Sequence, residues 1–377
     1  MATQLNDWLS IDKISGTGNA EITLTASSYK ELVDRATSLK IQGIRANAIL
    51  NVRQKAYSLN EEELKQQYFW VEFEEAGGTI SGLTNQYTDM YHSFDGSTWL
   101  TTPNTLSMGS NRLVYFKNDS KKIADNNQLN ISFNSNAKVG GDISSLTDMT
   151  NYCCYGLFRN NEYITDASKL ILPWDTLAKG CFYIMFDGCT NLTTVPELPA
   201  TTLAESCYSH MFQGCTSLTT APTLPATTLY KKCYEYMFTN CTSLTTAPVL
   251  PATTLADECY ASMFKGCTSL TTAPVLPATT LAKYCYAAMF NSCKILVNAP
   301  VLPATTLAER CYEYMFGTCR NLKYIKMLAT NTSASYCLNK WVENVPSTGT
   351  FIKHPNAKIP RGTSGIPSGW TVETATS

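Results

Sequence analysis

One phrase of 26 residues repeats along the second half of the chain and limits the folds open to it. A first cysteine recurs at this interval, at Cys181, Cys207, Cys233, Cys259, Cys285, Cys311 and Cys337. A second recurs with it, at Cys189, Cys215, Cys241, Cys267, Cys293 and Cys319. A period of about 20 to 50 residues is typical of a solenoid, in which each repeat forms one coil and contacts only its neighbours.

The apolar residues inside a repeat predict a short helix. In the repeat that begins at residue 207 they follow one another at intervals of three and four residues, which places them on one helical face. They are Cys207, Met211, Phe212, Cys215 and Leu218. We therefore predict a helix of about two turns between the two cysteines, with these five side chains in the core.

Prolines interrupt the remainder of each repeat. Pro222 and Pro225 fix their own φ and lack an N–H, so neither continues a helix or a long central strand. Short extended segments at residues 218–221 and 227–229 remain, and each coil is predicted to run strand, turn, strand, helix. Because a coil buries its apolar face only against its neighbours, capped ends are expected, and degenerate copies occur at 153–180 and 328–346.

The repeated phrase closely resembles the BspA-like leucine-rich repeats found in proteins of Bacteroidetes and their phages. This resemblance implies a leucine-rich repeat solenoid over residues 148–346 and a general role in adhesion or recognition. The Gly/Pro-rich tail at residues 347–377 resembles the usual ending of this family and is interpreted as a C-terminal cap.

The amino-terminal part resembles a second family. The order of residues 7–10, a turn cluster at 15–19, residues 35–37 and a strand ending at 54 resembles BACON domains, which are immunoglobulin-like sandwiches of Bacteroidetes and crAss-like gut phages. The resemblance implies a BACON-like β-sandwich over residues 1–57, serving either as a carbohydrate-binding unit or as an anchor.

A further β domain is predicted between this unit and the repeats. An aromatic strand at 68–73 and hairpin turns at 77–78 and 95–96 indicate a second β-sandwich domain over residues 58–147. The fold class is therefore multidomain and mainly β, with a BACON domain, a second β-sandwich and a short-helix leucine-rich repeat solenoid.

The fifteen cysteines are interpreted as buried thiols. Thirteen of them occupy the repeat positions, where a solenoid needs small buried side chains, and free cysteine is among the most buried residue types. The two cysteines of a repeat are eight residues apart, and only three histidines accompany them: His92, His210 and His354. We therefore expect neither a disulfide framework nor a metal site.

No catalytic motif is recognisable. Glycine-rich phosphate loops, zinc-protease motifs and nucleophile elbows are missing, so we predict no enzyme activity, no catalytic residue and no cofactor. A net charge of −1 argues against a nucleic-acid partner. Without a run of 18 apolar residues, no membrane insertion is expected.

The differences between repeats concentrate beside the predicted helix, on positions expected to be exposed, including Ser209, Glu235 and Glu313. They form a candidate partner or glycan surface, although a solvated face that varies neutrally has the same pattern. Its predicted residues are Lys231, Lys232, Tyr236, Lys283, Tyr284, Arg310 and Tyr314.

Two rival sugar sites remain open. One is an exposed threonine column that includes Thr219, Thr245 and Thr271. The other is an aromatic platform, for which sandwich core is the alternative interpretation. Its residues are Trp70, Tyr87, Tyr91 and Trp99.

Two functions fit the sequence. The first is a phage virion component, a fibre or capsid decoration, anchored by its N-terminal domain and presenting the repeats to a host-surface glycan or protein. The second is a bacterial cell-surface adhesin or carbohydrate-binding protein; a binding module attached to an enzyme is a weaker third. Residues 1–10 lack the basic and apolar regions of a secretion signal, which favours assembly with other virion proteins in the host cytoplasm. By analogy with fibres, a homotrimer is expected.

Overall fold

The structure is a computed structural model that describes residues 3–6, 9–11, 24–26, 35–42, 47–54, 59–84, 89–121 and 129–375. The chain divides into two compact units, residues 1–63 and residues 64–377. The described residues are mainly β, with the helices α1 (Glu61–Gln67) and a 3-10 turn at Ile143–Ser145. The predicted turn cluster at 15–19 and the predicted boundary after residue 57 lie outside the described residues.

The first unit contains two small antiparallel sheets. Three strands pair in the order β1 (Thr3–Asn6), β2 (Leu9–Ile11) and β3 (Leu24–Ala26). The strands β4 (Arg35–Gln42) and β5 (Asn47–Gln54) pair with each other over their full length. The BACON assignment of this unit stays a prediction.

A capping box starts α1. The side chain of Asn60 accepts a hydrogen bond from the backbone N–H of Glu63 at 3.0 Å, and the Glu63 carboxylate accepts one from the N–H of Asn60 at 2.9 Å. Two of the N–H groups that a helix leaves unpaired at its start are thereby satisfied. Leu64, in the middle of the helix, is its buried residue.

Two sheets open the second unit. Their strands are β6 (Phe69–Phe73), β7 (Thr79–Ser81), β8 (Met90–Ser93), β9 (Leu100–Thr101), β10 (Thr105–Ser107), β11 (Leu113–Asn118), β12 (Ser132–Phe133), β13 (Ala137–Asp142) and β14 (Ile164–Ile171). One sheet has the order β14-β13-β6-β11-β8-β9 and the other the order β10-β7-β12. Their inner faces meet, and Phe73 lies edge-on against Phe133 with ring centroids 5.7 Å apart.

The solenoid grows from the edge of the larger sheet. Strand β14 lies in the first coil and pairs in parallel with β13, whereas the other strands of that sheet pair antiparallel. Asp166 of β14 then forms a parallel bridge to Thr194 of the following coil. The predicted boundary at 147/148 therefore falls where one sheet continues into the repeats, because β13 supplies the edge on which the coils stack.

The prediction of a helix between the two cysteines is wrong, because this segment is a chain of reverse turns. Within one coil the N–H of Ser209 donates back to Ser206 at 3.2 Å, but the N–H of His210 donates forward to Glu235 of the next coil at 2.8 Å. The two kinds of bond alternate, and every fourth residue has a positive φ: Ser206, His210 and Gly214 at 57°, 58° and 72°. A helix would use each N–H internally and leave none for stacking. Residues 205–214 and their equivalents in other coils are called the turn strip below.

Two columns of stacked rings run through the coils. The first begins at Phe69 of the larger sheet, which lies 6.0 Å from Phe158. It continues through Phe186, Phe212, Phe238, Phe264, Phe290 and Phe316, with ring centroids 5.2 to 5.8 Å apart. The second contains Phe182, Tyr208, Tyr234, Tyr260, Tyr286 and Tyr312, spaced by 5.6 to 6.2 Å. These rings are fully buried, so each coil supplies the core of its neighbours.

One tryptophan closes both columns. The ring of Trp341 lies 6.4 Å from Tyr312 and 6.0 Å from Phe316, and its indole N–H donates to the carbonyl of Gly365 at 2.7 Å. The sheet ends there as three parallel strands, β15 (Tyr324–Met327), β16 (Thr350–Lys353) and β17 (Thr371–Thr374). The last exposed ring faces are thus covered by the tail of the chain.

All fifteen cysteines are buried free thiols. The thiols of Cys181 and its equivalents up to Cys337 form a first cysteine column, and those of Cys189 and its equivalents up to Cys319 form a second. The thiols of this second column do more than fill space. The thiol of Cys215 donates to the carbonyl of Phe186 in the preceding coil at 3.2 Å, and its five equivalents make the same bond at 3.0 to 3.2 Å. In the first coil the amide of Asn161 takes this place and donates to Ile131 at 3.1 Å. Burial raises the pKa of Cys267 to about 12, so these thiols keep the proton that they donate.

Deleting one full period should leave the fold intact. Removal of residues 233–258 joins Lys232 to Cys259, and every forward-donating N–H then meets the same acceptor one coil later. We expect a native circular dichroism spectrum and a Tm lowered by less than about 10 °C. Removal of residues 233–245 alone should abolish cooperative unfolding, because strand positions would face turn positions; equal behaviour of the two deletions would contradict the stacking scheme.

The second-column thiol bond can be tested with a matched pair of substitutions. Cys215→Ala leaves the buried carbonyl of Phe186 without a donor, so it should lower the free energy of unfolding by about 1–3 kcal/mol more than Cys207→Ala. Cys207 is equally buried and belongs to the first column, in which the sulfur–oxygen distances of Cys153, Cys181 and Cys311 are 3.9 to 4.0 Å. Urea unfolding measures both values, and equal losses would refute the bond.

Candidate functional site

Many of the residues that vary between coils occupy the left-handed positions of the turn strip. They are Ser206, His210, Lys232, Tyr236, Glu258, Ser262, Tyr284, Ala288, Arg310, Tyr314, Tyr336 and Lys340. A left-handed backbone costs a residue other than glycine about 1–2 kcal/mol. The forward N–H bonds offset this cost in each coil. These positions can therefore carry side chains other than glycine, and all of the side chains listed except Ser262 reach solvent at least in part.

Most of the lysines on this strip are paired within the array. Three of them reach a glutamate of the next coil at 2.9 to 3.1 Å: Lys179 to Glu205, Lys232 to Glu258 and Lys283 to Glu309. The predicted site residues Lys232 and Lys283 are therefore neutralised by their neighbours, whereas Lys231 is exposed. Exposed pairs of this kind add little stability, but they reduce the positive charge that an anionic ligand would meet.

Two of the predicted residues meet in an aromatic and cationic cluster. The guanidinium of Arg310 lies 5.4 Å from the ring centroid of Tyr284 and 4.4 Å from that of Tyr336. Its Nη1 donates to both carboxylate oxygens of Glu313, at 3.3 and 3.1 Å. The residue Tyr336 as a whole is 60% exposed. We call these four residues the Arg310 cluster; its guanidinium is fixed in place while an aromatic face stays open to solvent.

Of the other predicted residues, Lys283 also reaches this cluster, with its ammonium 5.6 Å from the ring centroid of Tyr284, whereas Tyr314 and Tyr236 have other partners. Tyr314 is half-buried and has the ammonium of Lys340 5.8 Å from its ring centroid. Tyr236 lies three coils from the cluster's Arg310 and stacks on His210 at 4.6 Å. The structure therefore distributes the predicted surface along the strip instead of gathering it into one pocket.

Three positions that were predicted to be exposed are buried, and for these the prediction is wrong; each precedes the second left-handed residue of its coil. Ser209, Glu235 and Glu313 are 0%, 9% and 8% exposed. The side chains at these three positions pack into the array instead of reaching solvent. The carboxylate of Glu235 lies 3.7 Å from Lys232 of its own coil, and burial raises its pKa.

His210 is the one histidine of the strip and is held as the neutral imidazole. Its ring lies between Tyr183 at 5.4 Å and Tyr236 at 4.6 Å, and its Nδ1 is 2.8 Å from the hydroxyl of Ser209. Burial, together with the charge of Lys232, lowers the pKa of His210 to about 4. It is therefore a packing residue at neutral pH and carries no charge to a ligand.

A second segment of each coil presents an uncharged threonine face. Thr219, Thr245 and Thr271 are exposed, and the hydroxyl of each of the latter two donates to the carbonyl of the preceding threonine, at 3.5 and 3.2 Å. Residues 216–230, 242–256 and 268–282 contain no charged side chain. This face can offer hydroxyl groups and apolar contacts, but no ionic recognition.

An exposed row of valines crosses the threonine face, and none of them was among the predicted site residues. Val249 is 80% exposed, Val275 78% and Val301 47%, at the same position of three consecutive coils. Earlier coils have Thr223 and Glu197 there. This exchange within an otherwise constant phrase was the sequence signal that could have revealed the row.

The proposed aromatic platform of the second β domain is split by the structure. Trp70 is buried and its indole N–H donates to the carbonyl of Lys65 at 3.2 Å, so it belongs to the core. Tyr91 and Trp99 are half-buried, with the ammonium of Lys117 5.2 Å from each ring centroid. Tyr87 lies outside the described residues.

Among the described residues, no group of three or more His, Cys, Asp or Glu side chains is arranged to hold a metal ion. Within the same part of the chain, no helix has the length and apolar character needed to cross a membrane. Burial raises the pKa of Cys207 and Cys259 to about 12, which leaves these thiols unreactive at neutral pH.

Comparison with known families agrees with this geometry. The family model for the BspA type leucine rich repeat region matches six copies, over residues 183–297 and 260–345. Residues 183–345 form a BspA-type repeat region. The resemblance seen in the repeated phrase is thereby confirmed, and BspA-type repeats suggest a surface or adhesion-type protein in general. No curated protein and no solved structure matches the chain.

The lowered pKa of His210 predicts a loss of stability in acid. The unfolded imidazole, with a pKa near 6.5, binds a proton more readily than the native one, whose pKa is about 4. The contribution of the neutral His210 to the free energy of unfolding is complete above about pH 6.5. It is lost as the pH falls toward 4, and the loss is at most about 2 kcal/mol for this partly exposed ring.

Urea unfolding of the wild type and of His210→Gln between pH 7.5 and 4.5 measures this effect. The raised pKa of Glu235 acts in the opposite direction but is common to both proteins, so the difference between them isolates the histidine. A difference that does not change with pH would contradict the assignment.

Proposed function

We propose that this chain is a non-enzymatic attachment protein that presents the turn strip of its BspA-type repeats to a host-surface glycan or protein. More specifically, we propose a phage virion component, a fibre or a capsid decoration, that is anchored to other virion proteins through its N-terminal domain. A Bacteroidetes cell-surface adhesin or carbohydrate-binding protein is the second candidate.

The Arg310 cluster is the observation that carries the attachment proposal. Tyrosine and arginine dominate the binding energy of protein interfaces, because they offer large rigid contact areas with polar tips. Here the guanidinium is already fixed by Glu313 and by two rings, so little conformational entropy is lost on binding. Tyr284, Arg310 and Tyr336 all have the left-handed backbone that glycine adopts most easily. Backbone strain of this kind concentrates at functional positions, which supports the same interpretation.

The thiols support assembly inside a cell. Fifteen buried free thiols are compatible with a chain that folds where thiols stay reduced, as in the cytoplasm in which phage particles assemble. A secreted adhesin would fold under oxidising conditions, where exposed thiols of the unfolded chain form disulfides.

Binding of the intact chain to a glycan array and to host-type bacterial cells tests the attachment proposal. Replacement of both Tyr284 and Tyr336 by serine should reduce binding at least about tenfold. Tyr163→Ser is the matched control, because Tyr163 is 41% exposed but lies outside the turn strip. Thr219→Val with Thr245→Val and Thr271→Val tests the rival threonine column.

Loss of binding in the threonine variant alone would move the ligand to the threonine face and refute the role of the Arg310 cluster. Labelling with an antibody against the chain distinguishes the virion component from the cell-surface adhesin. Label on purified phage particles would support the virion role, whereas label confined to the surface of uninfected cells would support the adhesin.

A further inference from the structure

The row of valines on the threonine face is unusual for a surface that stays in water. Val249 and Val275 are 80% and 78% exposed, although the leucine that follows each of them is buried. Each valine stands between a proline and a Leu-Pro pair, so the whole row has no hydrogen-bonding side chain. A contiguous exposed apolar strip of this kind marks an interaction site more often than free surface. We call Val249, Val275 and Val301 the valine ridge.

A groove lies beside the ridge. It has a volume of about 280 Å³ and lies between two adjacent coils. Its lining consists of Ala221, Pro222, Thr223, Leu224, Pro225, Pro248, Val249 and Pro251. The repeat places ridge and groove positions at the same spacing, one per coil. An occupant that fills several such positions at once must therefore repeat with the period of the coils, and a second copy of the chain does so.

We infer that two copies of this chain pair through their valine ridges in antiparallel orientation, with Val275 on the two-fold axis and Val249 opposite Val301 of the second copy. The ridge has three valines, and centring the axis on the middle one places all of them against valine. An isologous contact of this kind closes the assembly at two copies. The interface core is then free of charge, as the cores of protein interfaces are.

Charge at the two ends of the ridge selects the antiparallel arrangement. Glu197 occupies the ridge position three coils before Val275. Leu302 bridges to Met327, which places Lys326 at the ridge position that follows Val301. In the antiparallel pair the acidic end of one ridge therefore lies within one coil of the basic end of the other. A parallel pair would set Glu197 against Glu197, and like charges directly opposite are unfavourable.

The threonine columns on either side of the ridge form the rim of the proposed interface. Thr220, Thr246 and Thr272 bridge one another on one side, and Thr228 bridges Thr254 on the other. All of these residues are exposed and uncharged, which suits a polar rim around an apolar core. The turn strip is a separate segment of each coil and contributes no residue to this interface.

Sedimentation velocity of the full chain over a concentration series, with no ligand present, tests the pairing. The wild type should form a dimer. Val249→Lys together with Val275→Lys should raise the dissociation constant at least about a hundredfold without changing the Tm, because both side chains are exposed before pairing. The matched control is Leu100→Lys with Tyr163→Lys, which removes apolar side chains that are 53% and 41% exposed elsewhere. The control should remain dimeric.

Cysteine cross-linking under mild oxidation reads out the register. Val275→Cys should cross-link to itself, and a mixture of Val249→Cys with Val301→Cys should give mixed dimers, whereas either of the latter alone should give little product. The native thiols are buried and do not compete. A monomer at all concentrations, the homotrimer expected by analogy with fibres, a dimer unaffected by the ridge lysines, or self-cross-linking of Val249→Cys would each overturn the proposal. None of these measurements depends on ligand binding, so the dimer proposal can fail or succeed independently of the proposed attachment function.

Discussion

Alternate N–H groups of the turn strip donate forward to the next coil, and the rest of the second unit depends on this arrangement. The intervening N–H groups close reverse turns within the coil, so the backbone polar groups of the strip are divided between local and stacking bonds. The same advance from coil to coil stacks the rings 5.2 to 6.2 Å apart and brings each second-column thiol under the carbonyl of a phenylalanine. A single coil lacks half of these partners. The array therefore requires a template at one end, supplied by β13 and Phe69, and a lid at the other, supplied by Trp341.

The period, the solenoid and the apolar positions could be predicted because they depend on which side chains face inward. The backbone conformation could not. Side chains at Cys207, Met211 and Cys215 return to the same side every four residues in a chain of turns, just as they do in a helix, so apolar spacing does not distinguish the two. The signal that could have done so is the glycine at the third left-handed position of several coils, at Gly188, Gly214 and Gly266. Asn240, Ser292 and Thr318 at the equivalent positions conceal it.

The cysteines show a similar limit. Composition and spacing are sufficient to predict buried thiols, but the directed bond from the second column depends on the preceding coil, which no single repeat contains. Only Asn161 in the first coil indicates this bond. There an amide, which is a hydrogen-bond donor, replaces the thiol, and a polar amide would be unfavourable at a position that is merely apolar. The same dependence on neighbouring coils explains why Ser209 and Glu235 were misplaced. Their burial is decided by the next coil's side chains, not by their own polarity.

The two sides of the coil are under different constraints. On the threonine face the Thr-Thr-Ala-Pro phrase makes the sheet bridges, and a change there alters the ladder itself. On the turn strip the left-handed residue contributes its N–H to stacking while its side chain projects outward, so Lys232, Tyr284 and Arg310 can occupy equivalent positions without disturbing the array. Diversity is therefore free to accumulate on one side and regularity is retained on the other. A regular side can match a second copy of itself in register, and a varied side can distinguish one ligand from another, which is why we assign the two roles in this way.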